Sequence, residues 1–428
     1  MEAIEHEREP IDPGLRLRGP RPSRAPGPPP GSSERRERPG MGWSAGPPPG
    51  SSPGAPAPVE RAPRATGGGV QQRRERPGEG WSGAAGDLGW GARPGIAVVG
   101  TGSWGITLAI HAARGGRAVT LLARTAAEAA ALQAARESPR LPGVPFPPGL
   151  QVSAAPDAVL PATGLVLMVV PAQTMRQNVR AIGEYLHPGT IVISASKGLE
   201  VGTTRRMSQV IAEELPRHDL ACIGALSGPN LAREVASGKP SSSVVACPDE
   251  AGARVVQRAL MAPHLRVYTS TDLVGVELGG ALKNIIALGA GMADGLEVGD
   301  NAKAALMTRG LAEITRLGKA AGAQPLTFAG LAGLGDLIAT CMSPLSRNRS
   351  LGEQLARGRR LQEALAEMRQ VAEGVTTTVA ALELAERYRV EMPITALMRH
   401  VLFHGLPPLE AAMTLMQRDP KSELEGVP

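Results

Sequence analysis

Between residue 95 and about residue 270, short apolar runs rich in β-formers recur at 96–99, 119–123, 165–170, 190–194, 222–226, 243–246 and 266–268, with helix-compatible stretches between them. Strands that alternate with helices imply a parallel sheet covered on both faces. The unbroken apolar run from Leu165 through Val170 predicts a central strand buried on both sides, and Pro171 forbids its extension. Past about Thr271 the strand signal stops, and 272–295, 302–322, 350–368, 376–388 and 394–403 read as helices, the first capped by Ser270 or Thr271. The pattern predicts an α/β chain in which a doubly wound sheet domain over 93–271 is followed by an all-helical domain over 272–428. In such chains ligands collect at the cleft between the two parts.

The first strand feeds the turn Gly100-Thr101-Gly102-Ser103-Trp104-Gly105, a G-x-G-x-x-G that opens a helical stretch. Here Gly100 permits the tight turn, Gly102 lets the backbone approach a pyrophosphate, and Gly105 lets the helix lie close to its strand. Free N–H groups and the positive end of the helix dipole then face the anion. A glycine triplet alone is a weak signal in a chain with 53 Gly, but this one has both required flanks, which favours a Rossmann-type dinucleotide site over a plain turn.

Composition changes the picture at the N-terminus. Residues 1–92 hold few aliphatics and many Pro, Gly, Ser and Arg, and they repeat themselves, Gly27 to Ser33 recurring at Gly46 to Ser52. Such a stretch buries too little apolar surface to offset chain entropy, which predicts a disordered leader. The whole chain carries a net charge of +6, but no long basic run, and aromatics are only 2%, too few for stacking platforms on single strands. A nucleic-acid partner is disfavoured. Cys222, Cys247 and Cys341 lie far apart without metal-ligand spacing and read as buried reduced thiols, so no metal site is expected. No run of about 18 uninterrupted apolar residues occurs, and the N-terminus lacks the basic start and apolar core of a secretion signal. A soluble, cytoplasmic protein without membrane insertion is expected.

Arg outnumbers Lys by 40 to 6, so each lysine can be weighed singly. Arginine is effectively always charged, and it cannot replace a lysine that must exchange a proton. Lys319 and Lys421 have plain structural explanations, at a helix end and in a polar C-terminus, and Lys239 sits in a Gly-Lys-Pro turn. Lys197 follows a strand in Ser196-Lys197-Gly198, at the carboxyl edge of the sheet where α/β folds bind ligands. Lys283 lies inside the first helix of the second domain, between Leu282 and Ile285, where partial burial favours proton chemistry over a snorkelling surface role. Downstream, Asp336 offers one carboxylate in a glycine-rich apolar setting, and Ser346-Arg347-Asn348-Arg349 opens a helix with donors that suit a phosphate as well as they suit a solvated cap.

Taken together, Gly100 to Gly105, Ser196-Lys197-Gly198, Ser227 to Glu234, Gly275 to Asn284, Gly333 to Leu337, Ser346 to Arg349 and Val371 to Gly374 occur in one order. Over about 95–401 the chain resembles the bacterial NAD(P)-dependent glycerol-3-phosphate dehydrogenases. The resemblance implies hydride transfer between a nicotinamide cofactor, NAD or NADP, and carbon 2 of glycerol 3-phosphate or dihydroxyacetone phosphate, supplying glycerol 3-phosphate for phospholipid synthesis, and it implies a homodimer. It makes Lys283 the general acid and base. Lys197 would touch substrate and cofactor, Gly228 and Asn230 would line the substrate, and Asp336 would bind a hydroxyl and orient Lys283. Ser346, Arg347 and Asn348 would hold the phosphate, with Arg347 also reaching the dinucleotide. Ser103, Trp104, Arg124, Ala232, Val371 and Glu373 match cofactor-contacting positions. At Asn230 bacterial members more often carry Ser or Thr, though an amide can still donate to a substrate oxygen.

Other readings remain at this point: a β-hydroxyacid or phosphogluconate-type dehydrogenase, and a non-catalytic dinucleotide sensor. Retention of Lys283, Asp336 and the 346–348 segment argues against the sensor. NAD-selective folds place an acid about 20 residues past the turn, where this chain reads Leu121-Leu122-Ala123-Arg124-Thr125. With no acid there to repel a 2′-phosphate, NADP is expected to be accepted through Arg124.

Overall fold

The computed structural model describes residues 93–368, 371–420 and 422–423. The leader expected over 1–92 and Lys421 lie outside the described residues.

Eight strands form one sheet: β1 (Gly95–Val99), β2 (Val119–Leu122), β3 (Leu150–Ser153), β4 (Thr163–Met168), β5 (Ile191–Ser194), β6 (Ile223–Ser227), β7 (Ser241–Ala246) and β8 (Leu265–Ser270). Their spatial order is β3-β2-β1-β4-β5-β6-β7-β8. All pairs are parallel except β6 with β7, so the sheet is mixed rather than wholly parallel as expected. The helices packed on it are α1 (Ser103–Arg114), α2 (Ala126–Ala135), α3 (Pro156–Val159), α4 (Met175–Ile182), α5 (Met207–Glu214), α6 (Ala232–Ala236) and α7 (Glu250–Leu260).

Alternation within each strand sends successive side chains to opposite faces, and here both faces are covered. Ile96, Val98, Leu165, Leu167, Ile191 and Ile193 join one apolar core. Ala97, Val99, Val166, Met168 and Val192 join another on the far side. That is why β4 reads as continuously apolar, with every one of its residues buried.

After β8 only helices follow: α8 (Leu273–Gly295), α9 (Asp300–Ala320), α10 (Pro325–Ala329), α11 (Asp336–Met342), α12 (Arg347–Ala356), α13 (Leu361–Glu367), α14 (Glu373–Tyr388), α15 (Pro393–Phe403) and α16 (Pro408–Met416). The expected single helix over 350–368 is two. Gly358, at φ +85°, takes the left-handed conformation that breaks the helix between Ala356 and Leu361. The cap of α8 is neither Ser270 nor Thr271 but Asp272, whose Oδ1 accepts from Gly275 N at 2.9 Å while Oδ2 accepts from Gln324 N and Thr327 Oγ1. That carboxylate fixes the start of α8 to the α9–α10 connection.

Helix α8 is the axis of the helical half, buried without a break from Leu278 to Met292. α9, α11, α12 and α14 pack around it. Two glycines set its crossing with α12: a Cβ on Gly352 would lie 2.0 Å from Leu288 O, and one on Gly291 would lie 1.9 Å from Arg349 O. Backbone against backbone cannot yield by a rotamer change. Gly352→Ala is therefore expected to lower stability by about 1–3 kcal/mol, as overpacking does. A calorimetric melting temperature equal to wild type would show that the crossing relaxes freely.

Candidate active site

Strands β1, β4, β5 and β6 run parallel, so their carboxyl ends share one edge of the sheet. The glycine turn leaves that edge at β1, Ser196 and Lys197 follow β5, and Gly228 follows β6. Gly100 has φ +118°, and a Cβ on it would lie 2.4 Å from Val169 O; one on Gly105 would lie 2.1 Å from Gly100 O. By contrast, nothing lies within 4 Å of where a Cβ on Gly102 would be. The turn is thus closed toward the protein and open toward a ligand. No acid occupies the first turn of α1, so its positive dipole end is not already neutralised from within the helix. These residues fit a dinucleotide pyrophosphate.

Opposite that edge stands α8, which carries Lys283, only 6% exposed. Its Nζ donates to Asp336 Oδ1 at 2.9 Å and also to Thr340 Oγ1. The other carboxylate oxygen, Oδ2, accepts from Lys197 Nζ at 2.6 Å, and Lys197 Nζ also donates to Gly228 O at 3.0 Å. One buried carboxylate therefore holds two ammonium groups, one from the sheet and one from the helical half. Asp336 begins α11 directly after a π-helical turn over Leu331–Gly335, and Thr340, one helical turn on, lies on its face and donates to Asp336 O. Burial pulls the Lys283 pKa down from 10.5 to about 8, with the Lys197 charge acting in the same direction and Asp336 opposing both. An amine tuned near neutrality both gives and takes protons.

A chain of amides ties the loop after β5 to α12 and α14. Gly374 N donates to Asn348 Oδ1 at 2.9 Å, Asn348 Nδ2 to Asn284 Oδ1 at 3.0 Å, and Asn284 Nδ2 to Lys197 O at 3.4 Å. Asn348 is accordingly buried within this relay. Ser346 is also buried and caps α12, its Oγ accepting from Arg349 N. Of the segment expected to meet a phosphate, Arg347 is the side chain that reaches solvent. It is nevertheless walled by protein on enough sides that desolvation lowers its pKa, with the Glu373 charge opposing. Arg349 is structural, paired to Asp294 Oδ2 at 2.6 Å.

Asn230 differs from expectation in what it offers. Its Nδ2 donates to Ser242 O and Ser243 Oγ, and because a carbonyl can only accept, the amide orientation is fixed. The group left without a partner is the buried Oδ1, an acceptor rather than a donor. Glu373 opens α14: its Oε1 accepts from Ala172 N at 3.1 Å, and its buried Oε2 has no partner, as is also true of Thr377 Oγ1. Burial raises the Glu373 pKa. Ser103 and Trp104 lie in the first turn of α1, Arg124 is exposed just past β2, Ala232 opens α6 against α1 through Thr107, and Val371 is exposed ahead of α14. Thr340 and Asn284 were not singled out from sequence. The signal for Thr340 is its place four residues after Asp336.

Models of two domain families match the chain: the N-terminal part of NAD-dependent glycerol-3-phosphate dehydrogenase over residues 95–253 and its C-terminal part over 272–413. The chain belongs to the NAD-dependent glycerol-3-phosphate dehydrogenase family. Among relatives, the glycerol-3-phosphate dehydrogenase [NAD(P)+] of Thermobifida fusca is 50% identical over 336 residues, covering 78% of this chain and 99% of that one. The enzyme of the same name from Desulfitobacterium hafniense is 50% identical over 334 residues, 78% of this chain and 94% of its own. The crystal structure of the Coxiella burnetii glycerol-3-phosphate dehydrogenase superposes with a TM-score of 0.73 at 36% identity, covering 76% of this chain and 99% of that one. Among the described residues no group of three or more His, Cys, Asp or Glu could hold a metal ion. The long apolar α8 is mostly buried inside the protein.

Proposed function

We propose that this family member interconverts sn-glycerol 3-phosphate and dihydroxyacetone phosphate with NAD(P), and that it supplies glycerol 3-phosphate for phospholipid synthesis in the cytoplasm. The observation that carries the reading is the buried Lys283 ammonium held by Asp336 and facing Lys197 across the sheet edge. With the glycine turn Gly100 to Gly105 holding the dinucleotide, a bound reduced nicotinamide would supply the hydride for carbon 2. As negative charge builds on the carbonyl oxygen, Lys283 Nζ stabilises it and then gives up a proton. In the reverse direction the neutral amine takes the hydroxyl proton. Lys197, Gly228 and Asn230 line the substrate, and Asp336 holds a hydroxyl while orienting both lysines. The phosphate is remote from the reacting carbon, so binding energy gained there fixes the carbonyl; Arg347 and the α12 N-terminus capped by Ser346 supply it, with Asn348 holding the segment in place. Gly100, Gly102, Ser103, Trp104, Gly105, Arg124, Lys197, Ala232, Arg347, Val371 and Glu373 receive the cofactor. The dinucleotide part extends over 93–271 and the helical part from 272.

The protein works as a homodimer in this reading. Supporting it, an apolar cavity of about 1240 Å³ bordered by α9, α15 and α16 lies away from Lys283, and the exposed Leu409, Met413 and Met416 open onto it. Sedimentation gives the mass that decides the matter.

The direct test is spectrophotometric: oxidation of NADH or NADPH on adding dihydroxyacetone phosphate, with hydroxy acids as controls. Turnover of hydroxy acids alone would overturn the proposal. The pH dependence has a definite sign. With the Lys283 pKa near 8, ketone reduction needs the ammonium and falls as pH rises past about 8; alcohol oxidation needs the amine and rises through the same range. Profiles of kcat that move the same way in both directions would remove Lys283 from the proton-transfer role.

A further inference from the structure

The strand β2 ends without an acid, yet the fold brings one to that place from the next element. Glu128, the third residue of α2, turns back so that Oε1 accepts from Thr101 Oγ1 at 2.7 Å and Oε2 from Arg124 N at 3.3 Å. Thr101 lies inside the glycine turn after β1, and Arg124 lies just past the end of β2. The carboxylate therefore spans the gap between turn and strand end, where dinucleotide folds hold the adenosine ribose. A carboxylate has about four acceptor sites, and the two bonds named here leave capacity for a ribose hydroxyl.

Helix capping explains only part of this arrangement. Thr125 already caps α2 by accepting from Glu128 N at 3.2 Å. A capping box would return the Glu128 carboxylate to the N–H of Thr125 itself. Here it passes to Arg124 at the longer distance, and its shorter bond goes to Thr101, 27 residues away. Two arginines share the neighbourhood. The Arg124 side chain is exposed, and Arg140 donates to Thr101 O at 3.3 Å. One fixed carboxylate and two arginines thus share the ribose edge.

We propose that Glu128 receives the adenosine ribose 2′-hydroxyl and sets the discrimination against a 2′-phosphate, with Arg124 acting in the opposite sense. The opposed charges account for a site that admits both NAD and NADP while grading them. The inference rests on the dinucleotide reading of the glycine turn, so its test is made by binding and not by turnover.

Isothermal titration of the full-length protein with NAD+ and with NADP+ gives the ratio of the two dissociation constants. For Glu128→Gln, which keeps the side-chain shape, that ratio is expected to move toward NADP+ by about tenfold or more, the scale of removing one like-charge contact. Arg124→Ala is expected to move it toward NAD+. Glu128→Ala serves as a second variant, and the melting temperature of each is compared with wild type. Folded Glu128→Gln and Glu128→Ala proteins whose ratios stay within about twofold of wild type would reduce Glu128 to a helix cap and overturn the assignment. Failure of the wild-type protein to bind either dinucleotide would instead overturn the reading of the turn, and this assignment with it.

Discussion

Lys283→Ala is expected to lower turnover of dihydroxyacetone phosphate by about two to four orders of magnitude, the usual cost of losing a general acid. The substitution deletes an ammonium but leaves α8 helical, since alanine is the best helix former. Asp336 keeps Lys197 as its counter-ion at 2.6 Å, so the buried carboxylate is not stranded. The defect should accordingly fall on kcat, with cofactor binding retained. Lys283→Arg sharpens the point, because a guanidinium restores the charge but does not release its proton near neutrality. Turnover of either variant close to wild type, measured in single-turnover experiments, would exclude the assignment.

Asp336→Asn has the second large expected effect, and it acts on stability and chemistry together. Two ammonium groups that now share one carboxylate would face each other without a counter-ion in a site where Asp336 is 1% exposed. Breaking a buried ion pair by removing one partner costs about 3–5 kcal/mol, which should lower the melting temperature by several degrees. Part of the cost is avoided if Lys283 loses its proton. Asp336 is the group that raises the Lys283 pKa against burial, so its loss pushes that pKa below 8 and moves the fall in ketone reduction to lower pH. A purely structural carboxylate would destabilise the protein without shifting the profile. The acid shift is therefore the decisive measurement.

Much of the sheet was legible because its strands are buried on both faces and read as apolar runs. β3 was not. It sits at the sheet edge as Leu150-Gln151-Val152-Ser153, with only Leu150 buried, so neither a run nor a strong alternation marks it. The antiparallel entry of β7 depends on how the chain crosses between β6 and β7, which side-chain pattern does not encode. The break at Gly358 was hidden because the residues on both sides keep helical composition. In the site, scarcity of lysine picked out Lys197 and Lys283, but it could not say that a single carboxylate joins them. The burial of Ser346 and Asn348, and the exhaustion of the Asn230 amide hydrogens, depend on neighbours far away in the chain, Asn284, Gly374 and Ser242 among them. Glu128 is not marked by the usual pattern because it comes from the first turn of α2 and not from the end of β2. The pattern Thr125-Ala126-Ala127-Glu128 did carry a capping-box signature.

The position of α8 has a consequence for how the molecule breathes. Its amides between Leu278 and Met292 are enclosed by four other helices, so solvent deuterium reaches them only through the rarest openings, those that dismantle the whole protein. The Lys283 amine, to which the proposal assigns the proton transfer, thus rides on the segment expected to exchange most slowly, whereas the Arg347 side chain on the first turn of α12 is exposed.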